Sequence, residues 1–303
     1  MTSRQTGLTV WGRLFVVCGL AIGVGCLARP VEAADAETIA RGKYLFDAAG
    51  CIGCHTDKAN KGITLAGGRR LKTPFGDFYS PNITADPVHG IGKWTDANFI
   101  RALREGTAPD GSSYYPAFPY TSYTWMVDRD ILDIKAYIFS LPTAATPNKP
   151  HDLKSPYNIR LLNLAWKALF FTAGPMGPDL SVSRAARRGS YLVNAVAHCG
   201  ECHTDRNVFG ARRRNMALAG AAYGPEGGSV PNITPHEDTG IGKWSLSEIV
   251  DLLKDGLKPD GDVVGSGMDE VVANGIARLT DDDLASIAAY LKALPAINNR
   301  PGR

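Results

Sequence analysis

The sequence predicts an all-α chain built as a tandem of two like domains joined by an ordered linker. Three observations predict it. First, the chain repeats itself at a domain-sized period: Pro81-Asn82-Ile83-Thr84 returns as Pro231-Asn232-Ile233-Thr234, Gly90-Ile91-Gly92-Lys93-Trp94 as Gly240-Ile241-Gly242-Lys243-Trp244, and Pro109-Asp110-Gly111 as Pro259-Asp260-Gly261, each 150 residues on. Two copies at that spacing mean a duplicated domain and not a solenoid. Second, apolar residues in both halves recur at helical spacing behind capping residues. Third, each half carries the same short pattern near its start, Cys51-Ile52-Gly53-Cys54-His55 and Cys199-Gly200-Glu201-Cys202-His203.

The 303 residues, 44% of them hydrophobic, suffice for two cored domains. Residues 1–34 read as an export signal: Arg4 and Arg13 form a basic start, Leu14 to Leu27 is an uncharged apolar run, and Val31-Glu32-Ala33-Ala34 resembles a cleavage site. The alternative, an uncleaved anchor, has an apolar run short of the ~20 residues a spanning helix needs. Gly23-Val24-Gly25-Cys26 lacks the Leu of a lipoprotein signal. The net charge of +3 falls to near +1 once residues 1–34, with three Arg and one Glu, are removed. No basic block favours nucleic acid.

The first domain, residues 35–142, opens with a helix from about Ala36 to Ala49 behind Asp35 as N-cap. Gly42 beside Tyr44 places a small residue where another helix can cross closely. A middle helix starts after Trp94, capped by Thr95, and stops near Gly106. A last helix carries Ile131, Ile134, Tyr137 and Ile138 and ends in Leu141-Pro142. The second domain, residues 188–303, repeats the plan. Its first helix begins about Ser183, just inside the linker, and runs to Ala197 with Gly189 beside Tyr191. Its middle helix opens with the capping box Ser245-x-x-Glu248 and stops near Gly256. Its last helix carries Leu284, Ile287, Tyr290 and Leu291 behind Thr280 and three Asp that suit a helix N-terminus, and ends in Leu294-Pro295. The linker, residues 143–187, opens Pro-rich and then runs Leu161-Leu162-Asn163-Leu164-Ala165-Trp166-Lys167-Ala168-Leu169-Phe170-Phe171, too short to span a bilayer. It reads as a helix packed across both domains, with a membrane-surface or partner-docking face as the alternative.

C-x-x-C-H is the pattern of covalent c-type haem attachment. Two thiols three residues apart reach the two vinyl groups of one porphyrin, and the following imidazole lies under the ring to bind iron. The competing reading is a redox pair or half a zinc site beside a chance His. Duplication argues against it, as does cysteine arithmetic. Of six Cys, Cys18 and Cys26 lie in the signal, so Cys51, Cys54, Cys199 and Cys202 are all in the motifs and no structural disulfide is left. His55 and His203 are then the proximal iron ligands.

The sixth ligand separates the halves. A thioether there raises the reduction potential and closes the iron to small molecules. Met268, seven residues after Gly261 in a Gly-rich loop ahead of the last helix, is placed to serve the second haem; the competing role is a core Met beside the porphyrin. Carried back by 150, that position is Phe118, which has no lone pair. Three outcomes stay open for the first haem: Met126 in Tyr123-Thr124-Trp125-Met126, a His such as His89 or His151, or an open, five-coordinate iron. Met126 otherwise packs at the start of the last helix, and His89 and His151 otherwise lie in solvated loops. His198 packs beside the second motif, and His236 lies in a polar loop. Asn82, Asn232, Trp94 and Trp244 either hold haem propionates and cover the ring edge or only shape their loops.

The chain resembles the cytochrome c subunits of periplasmic dehydrogenases. The matching stretches are Arg-Gly-x-Tyr-Leu before each haem motif, Pro-Asn-Ile-Thr, Gly-Ile-Gly-Lys-Trp, Asp-Gly-x-x-Tyr-Tyr-Pro-Ala-Phe-Pro-Tyr at 110–120 and the Leu-Pro endings, covering nearly all of residues 41–295. The resemblance implies two class I cytochrome c domains, two covalent haem c groups and a periplasmic location. It implies a relay of single electrons from a molybdenum- or quinone-cofactor dehydrogenase to a downstream cytochrome, copper protein or terminal oxidase, and the linker's apolar run adds peripheral membrane association as an alternative. Many such relatives have Met where this chain has Phe118, so their ligand does not carry over to the first haem. Relatives with a third haem domain and an amphipathic membrane tail exist; neither is expected here. The chain is then no enzyme by itself, and no residue is catalytic in the acid–base sense. The alternative is a dihaem peroxidase-like enzyme with an open first haem, for which Asp110 or Glu105 would have to serve as acid–base residue. A thiosulfate-type oxidase finds no spare Cys or His for its unusual ligand.

Overall fold

The computed structural model describes residues 1–2, 34–177, 179–224, 227–265 and 267–302, so the predicted signal segment lies outside the described residues. The first half holds α1 (Ala36–Ala48), α2 (Cys51–His55), α3 (Asp96–Glu105), α4 (Tyr120–Tyr123) and α5 (Asp128–Ser140). Between the halves lies α6 (Leu162–Phe170). The second half holds α7 (Arg184–Tyr191), which continues as a π-helical stretch through Leu192–Val196, then α8 (Gly200–His203), α9 (Leu246–Asp255), α10 (Gly267–Asn274) and α11 (Asp281–Ala293).

Local chemistry sets the helix ends where the sequence placed them. Asp35 Oδ1 accepts from Thr38 N at 2.6 Å, Thr95 Oγ1 from Asn98 N at 3.1 Å, and Ser245 and Glu248 close a reciprocal capping box. Gly106 and Gly256 end α3 and α9 at φ of +60° and +72°.

In each half the first helix crosses the last at close range. A Cβ on Gly42 would lie 1.9 Å from Asp133 O in α5, and one on Gly189 would lie 1.9 Å from Ser286 O in α11. The glycines noted in the sequence therefore let α1 meet α5, and α7 meet α11, backbone to backbone. Neighbouring residues lock the crossings: Arg41 pairs with Asp130 and Asp133, and Arg188 with Asp283 at 3.0 Å. Leu45, Phe46, Ile131, Ile134 and Ile138 fill the core of the first half, and Leu192, Val193, Leu284, Ile287 and Leu291 that of the second.

The first half departs from the all-α expectation at one place. Arg70–Thr73 (β1) and Gly76–Tyr79 (β2) form an antiparallel hairpin, and Asp152–Leu153 (β3) joins its free edge. In the sequence the short alternation around Phe78, hidden between Gly and Pro, reads as loop. The loops otherwise follow the repeat. Gly90 and Gly240 fold back so tightly that a Cβ would meet Thr84 O at 2.2 Å and Thr234 O at 2.1 Å. The Pro-Asn-Ile-Thr and Gly-Ile-Gly-Lys-Trp stretches recur together because each packs on the other.

Candidate haem-attachment sites

Both motifs form a single helical turn, α2 and α8, with the histidine at its end. The chain then loops back in the same way twice. Gly67 N donates to His55 O at 2.9 Å, and Gly220 N to His203 O at 2.8 Å. Thr56 Oγ1 accepts from Leu65 N at 3.1 Å, and Thr204 Oγ1 from Leu218 N at 3.0 Å. Leu65 and Leu218, both at φ +60°, accept in turn from Ile83 N and Ile233 N, which brings each Pro-Asn-Ile-Thr turn alongside its motif.

That turn orients the imidazole. His55 Nδ1 lies 2.8 Å from Pro81 O, and His203 Nδ1 lies 2.8 Å from Pro231 O. A carbonyl only accepts, so the proton sits on Nδ1 and the Nε2 lone pair is left for a metal. Burial lowers both histidine pKa values against the opposing carbonyl bond, which favours the neutral, ligating form. Burial, reinforced by the neighbouring motif thiol, pushes the Cys51 and Cys199 thiols up to about 12. Thiols in one helical turn beside an oriented Nε2 fit a covalent haem c. When bound, that group supplies one-electron iron chemistry, and the protein supplies ligands, burial and spacing.

The remaining predicted residues lie around these turns. Met126 is fully buried in the core just ahead of α5, its carbonyl held by Arg104 at 2.7 Å. Phe118 is half-buried, ringed by Tyr114, Tyr120 and Tyr123 at 5.5–6.4 Å. Met268 is half-buried in the first turn of α10 and packs against the core. The halves differ in register here. The last helices start 153 residues apart, Asp128 against Asp281, so Met126 corresponds to Leu279, and the two thioethers come from different points of the loop.

Asn82 and Asn232 are loop-shaping residues. Each side-chain oxygen accepts from a Thr two residues on, and each amide donates within 3.1 Å to carbonyls or a hydroxyl of its own loops, as in Asn82 Nδ2 to Ala144 O at 2.7 Å. Trp94 and Trp244 lie half-buried against the core. His151 accepts from Tyr79 N at 3.2 Å on the small sheet, and Asp110 caps an exposed turn through Ser112 N. His236 is half-buried, not exposed: its Nδ1 gathers Asp238 N, Thr239 N and Thr239 Oγ1, much as Asp86 gathers Val88 N and His89 N one repeat earlier.

No motif signals how the two attachment turns meet. His198, directly before Cys199, reaches Ala49 O at 3.2 Å, two residues before Cys51, and Tyr123 O–H donates to the same carbonyl at 3.3 Å. Each motif also packs on the distal segment of the other half. Glu201 in α8 accepts from Thr121 and Ser122 of α4 at 2.7 and 2.8 Å, while Arg69 joins Gly53 O of α2 to Glu270 of α10, at 2.5 Å to Oε1 and 2.8 Å to Oε2. Long-range pairs of this kind leave no periodic trace in a sequence.

A cytochrome c family model matches residues 39–142. The chain is 43% identical to a diheme cytochrome c-type protein of Cereibacter sphaeroides over 89% of this chain and 93% of that protein. It is 39% identical to the cytochrome c subunit of a quinone alcohol dehydrogenase of Gluconobacter oxydans and 38% identical to the cytochrome subunit of a fructose dehydrogenase of Gluconobacter japonicus. Those matches cover 92% and 91% of this chain but only 60% and 57% of the two relatives. The duplicated attachment turns and the near full-length match to a diheme relative agree: the chain belongs to the dihaem c-type cytochromes and carries two covalently bound haem c groups.

Proposed function

We propose that the protein is a two-centre relay that takes single electrons from a periplasmic dehydrogenase of the quinone- or molybdenum-cofactor type. It passes them to a downstream cytochrome, copper protein or terminal oxidase. Residues 35–142 and 188–303 each hold one haem, with residues 143–187 between them. Cys51 and Cys54 attach the first haem, with His55 and Met126 on its iron. Cys199 and Cys202 attach the second, with His203 and Met268. The observation that carries the reading is the seam at Ala49 O, where His198 of the second half, packed on the Tyr123 ring at 5.3 Å, reaches across to the first attachment turn. Electron tunnelling falls off steeply with distance, so adjacent attachment turns suit exchange between centres. The complete burial of Met126 supports a closed first iron. Relatives named as cytochrome subunits of alcohol, fructose and gluconate dehydrogenases support a dehydrogenase as donor. Among the described residues no helix is long and apolar enough to cross a membrane.

The test mixes the oxidised protein with a substrate-charged quinoprotein or molybdenum dehydrogenase in a stopped-flow spectrometer. Both haems should reduce in sequence, and the reduced protein should hand electrons on to an added cytochrome or copper protein. Turnover of hydrogen peroxide, with a ligand-accepting high-spin haem, would replace the relay by the peroxidase-like alternative.

A further inference from the structure

The helix α6 is inside out. Asn163, Trp166, Lys167 and Phe170 turn inward: Trp166 Nε1 donates to Phe209 O at 2.8 Å, Phe170 stacks on Phe209 at 5.8 Å, and Lys167 Nζ reaches Thr107 Oγ1 at 3.1 Å. These contacts tie the helix to both halves, as the sequence suggested. Its leucines, however, face away. At 100° per residue, Leu161, Leu162, Leu164, Ala165, Ala168 and Leu169 share the opposite side, and all are exposed, Leu161 and Leu169 by 71% and 75%. Val208 and Phe209, in the loop on which Trp166 and Phe170 pack, are exposed as well, by 81% and 63%. A monomer in water has no reason to turn its polar residues in and a continuous leucine face out.

We propose that this face seats the protein on an anionic phospholipid surface, with α6 lying in the plane of the headgroups. Three features favour lipid over a protein partner. Charge is distributed to match: residues 143–187 carry six Lys or Arg against two Asp, while the rest of residues 34–303 carries 24 against 27 Asp or Glu. The net positive charge of residues 34–303 thus resides in the stretch bearing the apolar face. Size is the second feature. One face of nine helical residues is ~14 Å long and ~10 Å wide, far less than the ~800 Å² per partner that a stable protein interface buries. Interfacial helices need only insert one apolar side among basic neighbours. Third, a groove of about 370 Å³ at the end of α6 is lined by Leu169, Phe170 and Phe171 and by the exposed Arg214. That pairing suits an acyl chain beside a phosphate.

The experiment sediments the holoprotein with vesicles of phosphatidylethanolamine containing phosphatidylglycerol, and with pure phosphatidylcholine. Binding should be strong to the former, weak to the latter and reduced by high salt. Leu161→Ser/Leu164→Ser/Leu169→Ser should lower the partition by roughly a hundredfold, from the apolar area lost. It should leave haem absorbance and circular dichroism unchanged, since those side chains face outward. Arg214→Gln, an exposed site, should weaken binding and flatten its salt dependence without affecting the fold. Failure of the wild type to bind the anionic vesicles overturns the proposal, as does unchanged binding by the triple variant. So does a triple variant that loses only self-association or dehydrogenase capture, which would make the face a protein-docking site. Electron relay in solution is read separately, so either outcome leaves the function proposed above standing or falling by itself.

Discussion

The Tyr191 hydroxyl, in α7 of the second half, donates to Asp130 Oδ2 at 2.7 Å in α5 of the first. The mirror contact exists: Tyr44 of α1 donates to Asp283 of α11 at 2.7 Å. Each aspartate is shared between the arginine of its own half, Arg41 or Arg188, and the tyrosine of the other. The repeated Arg-Gly-x-Tyr is thereby explained residue by residue. Arginine clamps the last helix, glycine lets it approach, and tyrosine crosses to the other copy. Burial and the aspartate together raise the Tyr191 pKa, so the phenol stays a donor at all ordinary pH.

Tyr191→Phe should therefore destabilise the protein by about 2 kcal/mol, the scale of a hydrogen bond to a charged group. Urea unfolding followed by circular dichroism measures it. A change within error would show that the seam does not depend on this bond.

Gly42→Ala tests the close helix crossing. Alanine gains ~1 kcal/mol of helix propensity, but its Cβ would sit 1.9 Å from Asp133 O, and backbone cannot rotate away. Separating α1 from α5 should cost about 1–3 kcal/mol net, seen as a lower thermal midpoint. Gly189→Ala should behave alike against Ser286 O.

Met126→Ala and Met268→Ala should each convert one haem to high spin and remove about half of the weak thioether-to-ferric-iron absorption band. The potential of that haem should fall, because a thioether favours the reduced iron. An unaltered spectrum in Met126→Ala would return the first iron to the alternatives of His89, His151 or no sixth ligand.

Glu201 supplies a pH dependence. Burial raises its pKa, yet Arg212 and Arg206, with hydrogen bonds from Thr121 and Ser122, outweigh burial and hold it at about 2. The folded pKa lies below the unfolded value near 4.5. Its stabilisation is therefore complete above about pH 4.5 and drains away as pH falls towards 2, a few kcal/mol in all. Glu201→Gln should be less stable at neutral pH and show a shallower acid transition, measured by unfolding at stepped pH.

Much of the architecture was legible because it is local. Helix caps at Asp35, Thr95, Ser245 and Thr280, the stops at Gly106 and Gly256, and the duplicated attachment turns are all matters of a few neighbouring residues, and the repeat doubled each signal. The β1–β2 hairpin escaped because four-residue strands among Gly and Pro carry too little alternation to stand out.

The sequence by itself determined where the two C-x-x-C-H turns lie and where the first, middle and last helix of each half run, since thiol spacing and apolar period are set by chain geometry alone. Only the tertiary structure decided that the two attachment turns meet at Ala49 O, that Tyr44 and Tyr191 cross between halves, and that the leucines of α6 face outward. These depend on pairs of residues far apart in the chain, or on which side of a helix finds a neighbour. The energy that fixes them arises only when the halves are packed together.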